Sequence, residues 1–425
     1  MRRLLHGYLG LVARLFYRLR HLGGEVPSTG PVILVANHPN GLVDSVILSM
    51  AARRPVSFLA KEPIFRMPVI GSLARAFGAI PVYRAQDGAD TERNRDMFRA
   101  VTGLLNGGGA VGLFPEGISH DQPELQPLRT GAARMALGAE PARGPGVLVI
   151  PVGITYRDKG RFRSVCTVEV GEPLPAPHPG AGDDRETVRR FTAEIDDALR
   201  QVTLNLESRE DLPLLRLAER IWDWREGHTV QRLRVLADWG RVFAEHSPSR
   251  LAEIRRRLAV FDRQLRYLGL KPDHLDVTYG FGLVVRYVTG TVAPLVLGVP
   301  VFLLGAAAWM VPHVLTLSAV RLKRPDPDQI ATVKLLAAML FYPPWYVGLV
   351  VWVTTTWGWP WAAAAALALP PSGLVASRFL PRWFRAWRDI RAFLGRPFQR
   401  GVRESLERER AEIAEELRRL REETG

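Results

Sequence analysis

Between residues 30 and 175, short apolar runs alternate with segments of helical period. PVILVA (31–36), VSFLA (56–60), AIPVY (79–83), AVGLF (110–114), VLVIPVGITY (147–156) and CTVEV (166–170) read as strands. Apolar positions recur at helical spacing near 45–53, 63–77, 91–105 and 129–139. That alternation predicts an α/β domain over residues 23–180. Pro and Gly gather at 171–182 (GEPLPAPHPGAG), the clearest domain boundary. Residues 184–275 return to helical period with dense charge and predict a helical accessory region; a coiled coil is the alternative, but the heptads are not sustained.

Ahead of the domain, residues 1–22 put Leu4, Tyr8, Leu11, Val12, Leu15, Phe16 and Leu19 on one helical stripe. Arg3, Arg14 and Arg18 lie off it, and no acid precedes Glu25. This pattern predicts an amphipathic interfacial helix, with a core-packing helix as the alternative. Arg14 interrupts the apolar run, which argues against a signal peptide.

Two later stretches, 287–320 and 335–377, contain no Asp, Glu, Lys or Arg. A spanning helix needs about 20 residues. The second stretch therefore predicts a transmembrane hairpin turning near Gly358-Trp359-Pro360. The first predicts either one tilted span or a re-entrant pair kinked at Pro300. Arg321, Lys323, Arg324 and Lys334 separate the stretches, and Arg378, Arg382, Arg385, Arg388 and Arg391 follow. The positive-inside rule assigns both clusters, and the α/β domain, to the cytoplasmic face of an integral membrane protein. Residues 378–425 read as a basic segment and a solvated helix.

Charge narrows the partners. A net charge of +14 suits nucleic acid or anionic lipid. No nucleic-acid module is evident, so the apolar stretches make membrane lipids the expected partner and nucleic acid not. The single cysteine, Cys166, forms no internal disulfide and lies in an alternating strand pattern, as buried filler.

The candidate chemistry begins at VANHPNGLVDS (35–45). A buried strand runs into the NHPNG turn, and Asp44 falls at the start of the next helix. His38 and Asp44, six residues apart across that turn, are able to converge. Asp44 then holds one ring nitrogen and leaves the other to accept a proton. The alternative makes Asp44 a helix N-cap and His38 a satisfied turn residue. LFPEGISH (113–120) adds Glu116, Gly117 and Ser119 after another strand. Lys61 and Arg84 end two more strands, and Arg129 with Thr130 precedes a helix. In a parallel-type sheet, such strand ends gather at one edge. The nine histidines show no metal-ligand spacing, and no Gly-x-Ser-x-Gly elbow is present.

These motifs resemble the glycerolipid acyltransferases over roughly residues 20–180. Asn37-His38 through Asp44 is similar to the family's His-x4-Asp motif with one extra residue. Arg84 ends the counterpart of the second motif. Phe114, Pro115, Glu116, Gly117 and Ser119 match the third, with Ile118 for the usual Thr and no Arg. Ile150-Pro151-Val152 matches the fourth. The resemblance implies a mixed β-sheet flanked by helices. It implies acyl transfer from a thioester, on coenzyme A or acyl carrier protein, to a glycerol hydroxyl, with no other cofactor and no metal. His38 is then the general base and Asp44 its orienting partner. Arg84, Arg129 and Lys61 are candidates for the acceptor phosphate, and Glu116 shapes the acceptor site. The apolar patch Ile64, Phe65, Val69, Ile70 and Leu73 either guides the acyl chain or is core. Lysophosphatidate is the first acceptor implied; glycerol-3-phosphate and other lysophospholipids are alternatives. A non-catalytic membrane scaffold is the alternative from another class.

Overall fold

The computed structural model describes residues 2–68, 70–83, 92, 94–139, 146–177, 185–206, 208–222, 228–275, 281–394 and 400–424. The chain divides into two units: residues 1–207 with 324–335, and residues 208–323 with 336–425.

The first unit is built on eight strands: β1 (Tyr17–Gly23), β2 (Val32–Ala36), β3 (Ser57–Lys61), β4 (Ile80–Val82), β5 (Ala110–Leu113), β6 (Leu148–Tyr156), β7 (Ser164–Val170) and β8 (Leu174–Pro175). They form one sheet in the order β1-β7-β6-β2-β5-β3-β4, with β8 against β6. Strands β6, β2, β5, β3 and β4 run parallel to one another; β7 and β8 oppose β6, and β1 is parallel to β7. The sheet is therefore mixed, and the C-terminal ends of five strands share one edge.

Helices cover both faces: α1 (Arg2–Phe16), α2 (Leu42–Ala52), α3 (Glu62–Arg66), α4 (Ile70–Ala76), α5 (Asn94–Asn106), α6 (Gly131–Leu137) and α7 (Arg185–Val202). Strand β2 shows how the core is divided. Val32, Leu34 and Ala36 join Ala13 and Phe16 of α1 and Val43, Ile47 and Leu48 of α2. Ile33 and Val35 face the other way, onto Met97 and Val101 of α5, Ala133 and Ala136 of α6, and Phe191 and Ile195 of α7. A strand buried on both faces must be apolar throughout, as PVILVA is.

The second unit contains α8 (Asp211–Ile221), α9 (Thr229–His246), α10 (Pro248–Tyr267), a 3-10 turn at Pro272–His274, and α11 (Phe281–Tyr287). A π-helical turn at Val288–Val292 and α12 (Ala293–Leu297) follow. Three long apolar helices come next: α13 (Val299–Lys323), α14 (Ile330–Trp357), whose residues 330–335 belong to the first unit, and α15 (Trp359–Leu394). All three are long and apolar enough to cross a membrane. Trp309 Nε1 of α13 donates to Leu369 O of α15 at 3.0 Å. The chain ends with α16 (Arg400–Thr424).

Several expectations change. The N-terminal helix stops at Phe16, and residues 17–23 pair with β7 as an edge strand, because Tyr17 and Leu19 find partners there that helical spacing cannot reveal. The 63–77 segment forms two short helices, α3 and α4, separated by Met67 and Pro68. Residues 185–202 are not accessory: Phe191, Ile195 and Leu199 of α7 are fully buried in the first unit. The second apolar stretch breaks at Gly358, the expected turn, while the first breaks at Gly298, two residues before Pro300. The last helix is not solvated all round: Leu406, Ile413 and Leu417 pack with Phe261 and Leu258 of α10. Arg257 also pairs with Glu412 and Glu416 at 2.8 and 3.1 Å.

Truncating a large core aromatic costs about 3–5 kcal/mol. Phe191→Ala is expected to lower the urea midpoint of the α/β unit in the detergent-solubilised protein; an unchanged midpoint would remove α7 from its core.

Candidate active site

β2 ends at Ala36 and the chain turns through Asn37, His38, Pro39, Asn40 and Gly41 into α2. Asn37 fastens the turn to β6: its Nδ2 donates to Ile154 O at 3.0 Å, and Ile154 N donates to its Oδ1 at 2.7 Å. Asp44 lies in the first turn of α2, which carries no side-chain cap at Gly41. The two sequence readings of Asp44 therefore separate here. It holds His38: Nδ1 of the ring lies 3.0 Å from Asp44 Oδ2.

The Asp44 carboxylate is wholly buried. It is solvated by donors instead of water. Oδ2 also accepts from Asn40 N at 2.6 Å, and Oδ1 accepts from the Tyr156 hydroxyl at 2.7 Å. Burial, and next the nearby Asp44 charge, push the Tyr156 hydroxyl well above its ordinary range, so it stays a donor. Behind it, Asn40 Nδ2 donates to the Tyr17 hydroxyl at 2.9 Å, which donates to Lys159 O at 2.5 Å. Lys159 Nζ returns to Pro39 O at 2.8 Å and pairs with Asp121.

His38 is stacked on Phe114, with ring centroids 3.8 Å apart and planes 4° from parallel. A carboxylate that accepts from Nδ1–H fixes the tautomer and leaves Nε2 as the basic nitrogen. Among the described residues, His38 Nε2 carries no hydrogen bond, and the side chain keeps 17% exposure.

The loop after β5 closes on the same turn. Glu116 is buried; its Oε1 accepts from His38 N at 3.0 Å, and its Oε2 accepts from Gln126 N at 2.8 Å and from His120 Nε2. His120 N donates to His38 O at 3.2 Å. Gly117 has φ +73, and a Cβ there would stand 2.6 Å from Arg129 Nε, so the guanidinium lies against its bare Cα. Arg129 N donates to Pro115 O at 2.9 Å. Ser119 Oγ accepts from Gly41 N at 3.1 Å.

Of the residues singled out from sequence, the structure brings His38, Asp44, Glu116, Gly117, Ser119 and Arg129 together. Lys61 ends β3 with its side chain exposed and makes no hydrogen bond to the His38 network among the described residues. Arg84 and Val69 lie outside the described residues. Ile64, Phe65, Ile70 and Leu73 are half-buried. Sequence reasoning missed Tyr17, Asn40, His120, Tyr156 and Lys159. His120 stands four residues after Glu116 and Tyr156 at the end of β6, which were usable signals; Tyr17 had none.

Fold and site together define an α/β protein with a hydrogen-bonded histidine–carboxylate pair at the C-terminal edge of its parallel strands. Residues 20–155 match the Acyltransferase family model. An uncharacterized acyltransferase of Schizosaccharomyces pombe is 26% identical over 80% of this chain and 66% of its own length. Glycerol-3-phosphate O-acyltransferase 1 of Saccharomyces cerevisiae is 26% identical over 78% of this chain and 58% of its own. The chloroplastic 1-acyl-sn-glycerol-3-phosphate acyltransferase of Arabidopsis thaliana is 30% identical over 32% of this chain and 36% of its own. The chain thus spans less than two thirds of the length of these curated relatives.

Cys166 shares the core with this network. Burial, and then the Asp44 charge, push its thiol well above the ordinary range. Only the thiolate reacts readily. Native protein is expected to resist iodoacetamide at pH 8 and to gain one adduct by mass after denaturation; rapid labelling of the native form would contradict this burial.

Proposed function

We propose that the chain is a membrane-bound O-acyltransferase that moves a fatty acyl group from a thioester to a hydroxyl of a phosphorylated glycerol. The observation that carries this reading is the His38–Asp44 contact, which leaves Nε2 basic and uncommitted. The acceptor oxygen attacks the thioester carbonyl as Nε2 takes its proton. Collapse of the tetrahedral intermediate breaks the C–S bond, and the same proton passes to the departing thiolate. Asp44 balances the transient imidazolium, as in other histidine–carboxylate pairs. No covalent acyl-enzyme is needed. Stacking on Phe114 and the donors around Asp44 hold the ring in advance of reaction, which is how positioning lowers a barrier.

Glycerol-3-phosphate is the acceptor best supported. The relatives aligned over most of this chain include one named for that acceptor, and those alignments reach beyond residues 20–155. Lysophosphatidate, first in the sequence reading, is the second candidate, supported by the Arabidopsis relative. Arg129, beside Gly117, is the cation best placed for the acceptor phosphate, with Lys61 and Arg84 as further candidates from sequence. Coenzyme A or acyl carrier protein carries the donor. The three apolar helices support membrane residence, and the Arg and Lys clusters flanking them support a cytoplasmic catalytic face.

A positioned general base contributes about 10²–10⁴ in rate. With purified protein in vesicles, a mass-spectrometric product scan over both acceptors and both donor carriers is expected to find transfer, with His38→Ala lowering kcat at least about 10²-fold. Equal turnover by His38→Ala would sink the base assignment. Absence of any product across the panel would favour the scaffold reading. Formation of phosphatidate from lysophosphatidate alone would reverse the order of acceptors.

A further inference from the structure

The loop after α13 and the first residues of α14, RPDPDQIATVKL (324–335), pack into the α/β unit beside the His38 turn. Ala331 is fully buried in the core with Val43 and Ile47 of α2. Lys334 Nζ donates to Gly160 O at 2.5 Å. Asp328 is 6% exposed, and its Oδ2 accepts from Ser119 Oγ at 2.6 Å. Ser119 Oγ in turn accepts from Gly41 N at 3.1 Å. A carboxylate, a hydroxyl and a backbone N–H of the NHPNG turn therefore form one chain of hydrogen bonds.

Gly41 sits in the middle of this contact. Its φ is +50, and a Cβ there would stand 3.1 Å from Thr332 Oγ1 and 3.3 Å from Asp328 O. The turn is thus backed by the segment at two points, directly with Asp328 O and Thr332 against its Cα, and through Ser119 on its amide. Gly41 follows Asn40 and lies three residues before Asp44, so its backbone sets where both meet. Asn40 N reaches Asp44 Oδ2 at 2.6 Å, the oxygen that also holds His38.

We propose that Asp328 is a positioning residue for the His38–Asp44 pair, acting through Ser119 on the Gly41 amide. It does not touch the ring or the reacting atoms. As a charged acceptor it makes the Ser119 hydroxyl a firm donor toward segment 324–335, so the oxygen's lone pair is turned to Gly41. A relaxed turn leaves the histidine in place chemically but misaimed. The inference rests on the acyltransferase reading for its kinetic consequence and on geometry alone for its structural one.

The experiment pairs both readouts on the full chain in vesicles. Hydrogen–deuterium exchange of the peptide spanning residues 36–48 is measured for wild type, Asp328→Ala, Asp328→Asn and Ser119→Ala. Exchange is expected to rise in Asp328→Ala and Ser119→Ala. It should stay near wild type in Asp328→Asn, whose amide oxygen still accepts from Ser119. In the acyl-transfer assay, kcat is expected to fall about tenfold in Asp328→Ala, within the reach of a small misplacement. The KM for the acyl donor should hold within about twofold, and the acid limb of the pH profile should not move. Asp328→Asn should recover most of the rate. The double variant Ser119→Ala/Asp328→Ala should lose no more than Ser119→Ala alone, since both break one chain. Additive losses, or wild-type exchange in Asp328→Ala, overturn the proposal. A drop in kcat matched by a fall in melting temperature in Asp328→Ala and not rescued by Asp328→Asn overturns it too. If wild type shows no transfer, the functional reading fails while the exchange result still decides the positioning claim.

Discussion

A carboxylate with no access to water must find its donors in the protein, and Asp44 is the group around which this site is arranged. Desolvating such a charge costs several kcal/mol when its lone pairs are unmet. Here three donors meet them: the His38 ring, the Asn40 amide and the Tyr156 hydroxyl. Two of them come from the turn after β2 and one from the end of β6, while the carboxylate itself stands in the first turn of α2. Satisfying one oxygen pair therefore fixes the relative positions of three elements, and the orientation of the imidazole follows from that requirement.

Glu116 repeats the device in the loop after the neighbouring strand β5. Its oxygens take the His38 amide, the Gln126 amide and the His120 ring. The carboxylate holds the two loops together, which accounts for a buried acid at this position. Bare backbone at Gly117 then admits the Arg129 guanidinium beside it. One loop thus both fastens the His38 turn, through Glu116, and brings the Arg129 guanidinium beside it, at Gly117.

Much of this was legible in the sequence because the decisive features are local. Strand, turn and helix around His38 and Asp44 lie within fourteen residues, and the apolar alternation gives the sheet edge on which they sit. What could not be read depends on distant partners. Tyr17 lies within a segment of helical period, off its apolar stripe, yet pairing with Ser164 and packing near Tyr156 make it a strand residue at the site. Asp328 meets Ser119 across 209 positions, with nothing around it but a charged loop between apolar stretches. Leu406, Ile413 and Leu417 are sparse in a highly charged helix, and their burial depends on a facing helix that contributes Leu258 and Phe261.

The junction at Phe16 and Tyr17 has a mechanical meaning. The N-terminal helix passes into the edge strand without an intervening loop. Tyr8, Leu11 and Leu15 look outward while Ala13 and Phe16 are locked inward. A tilt imposed on that outer face has no slack chain in which to dissipate. It is delivered as torque at the first residue of the strand, whose phenol is one hydrogen bond from Asn40, itself bonded to the Asp44 carboxylate.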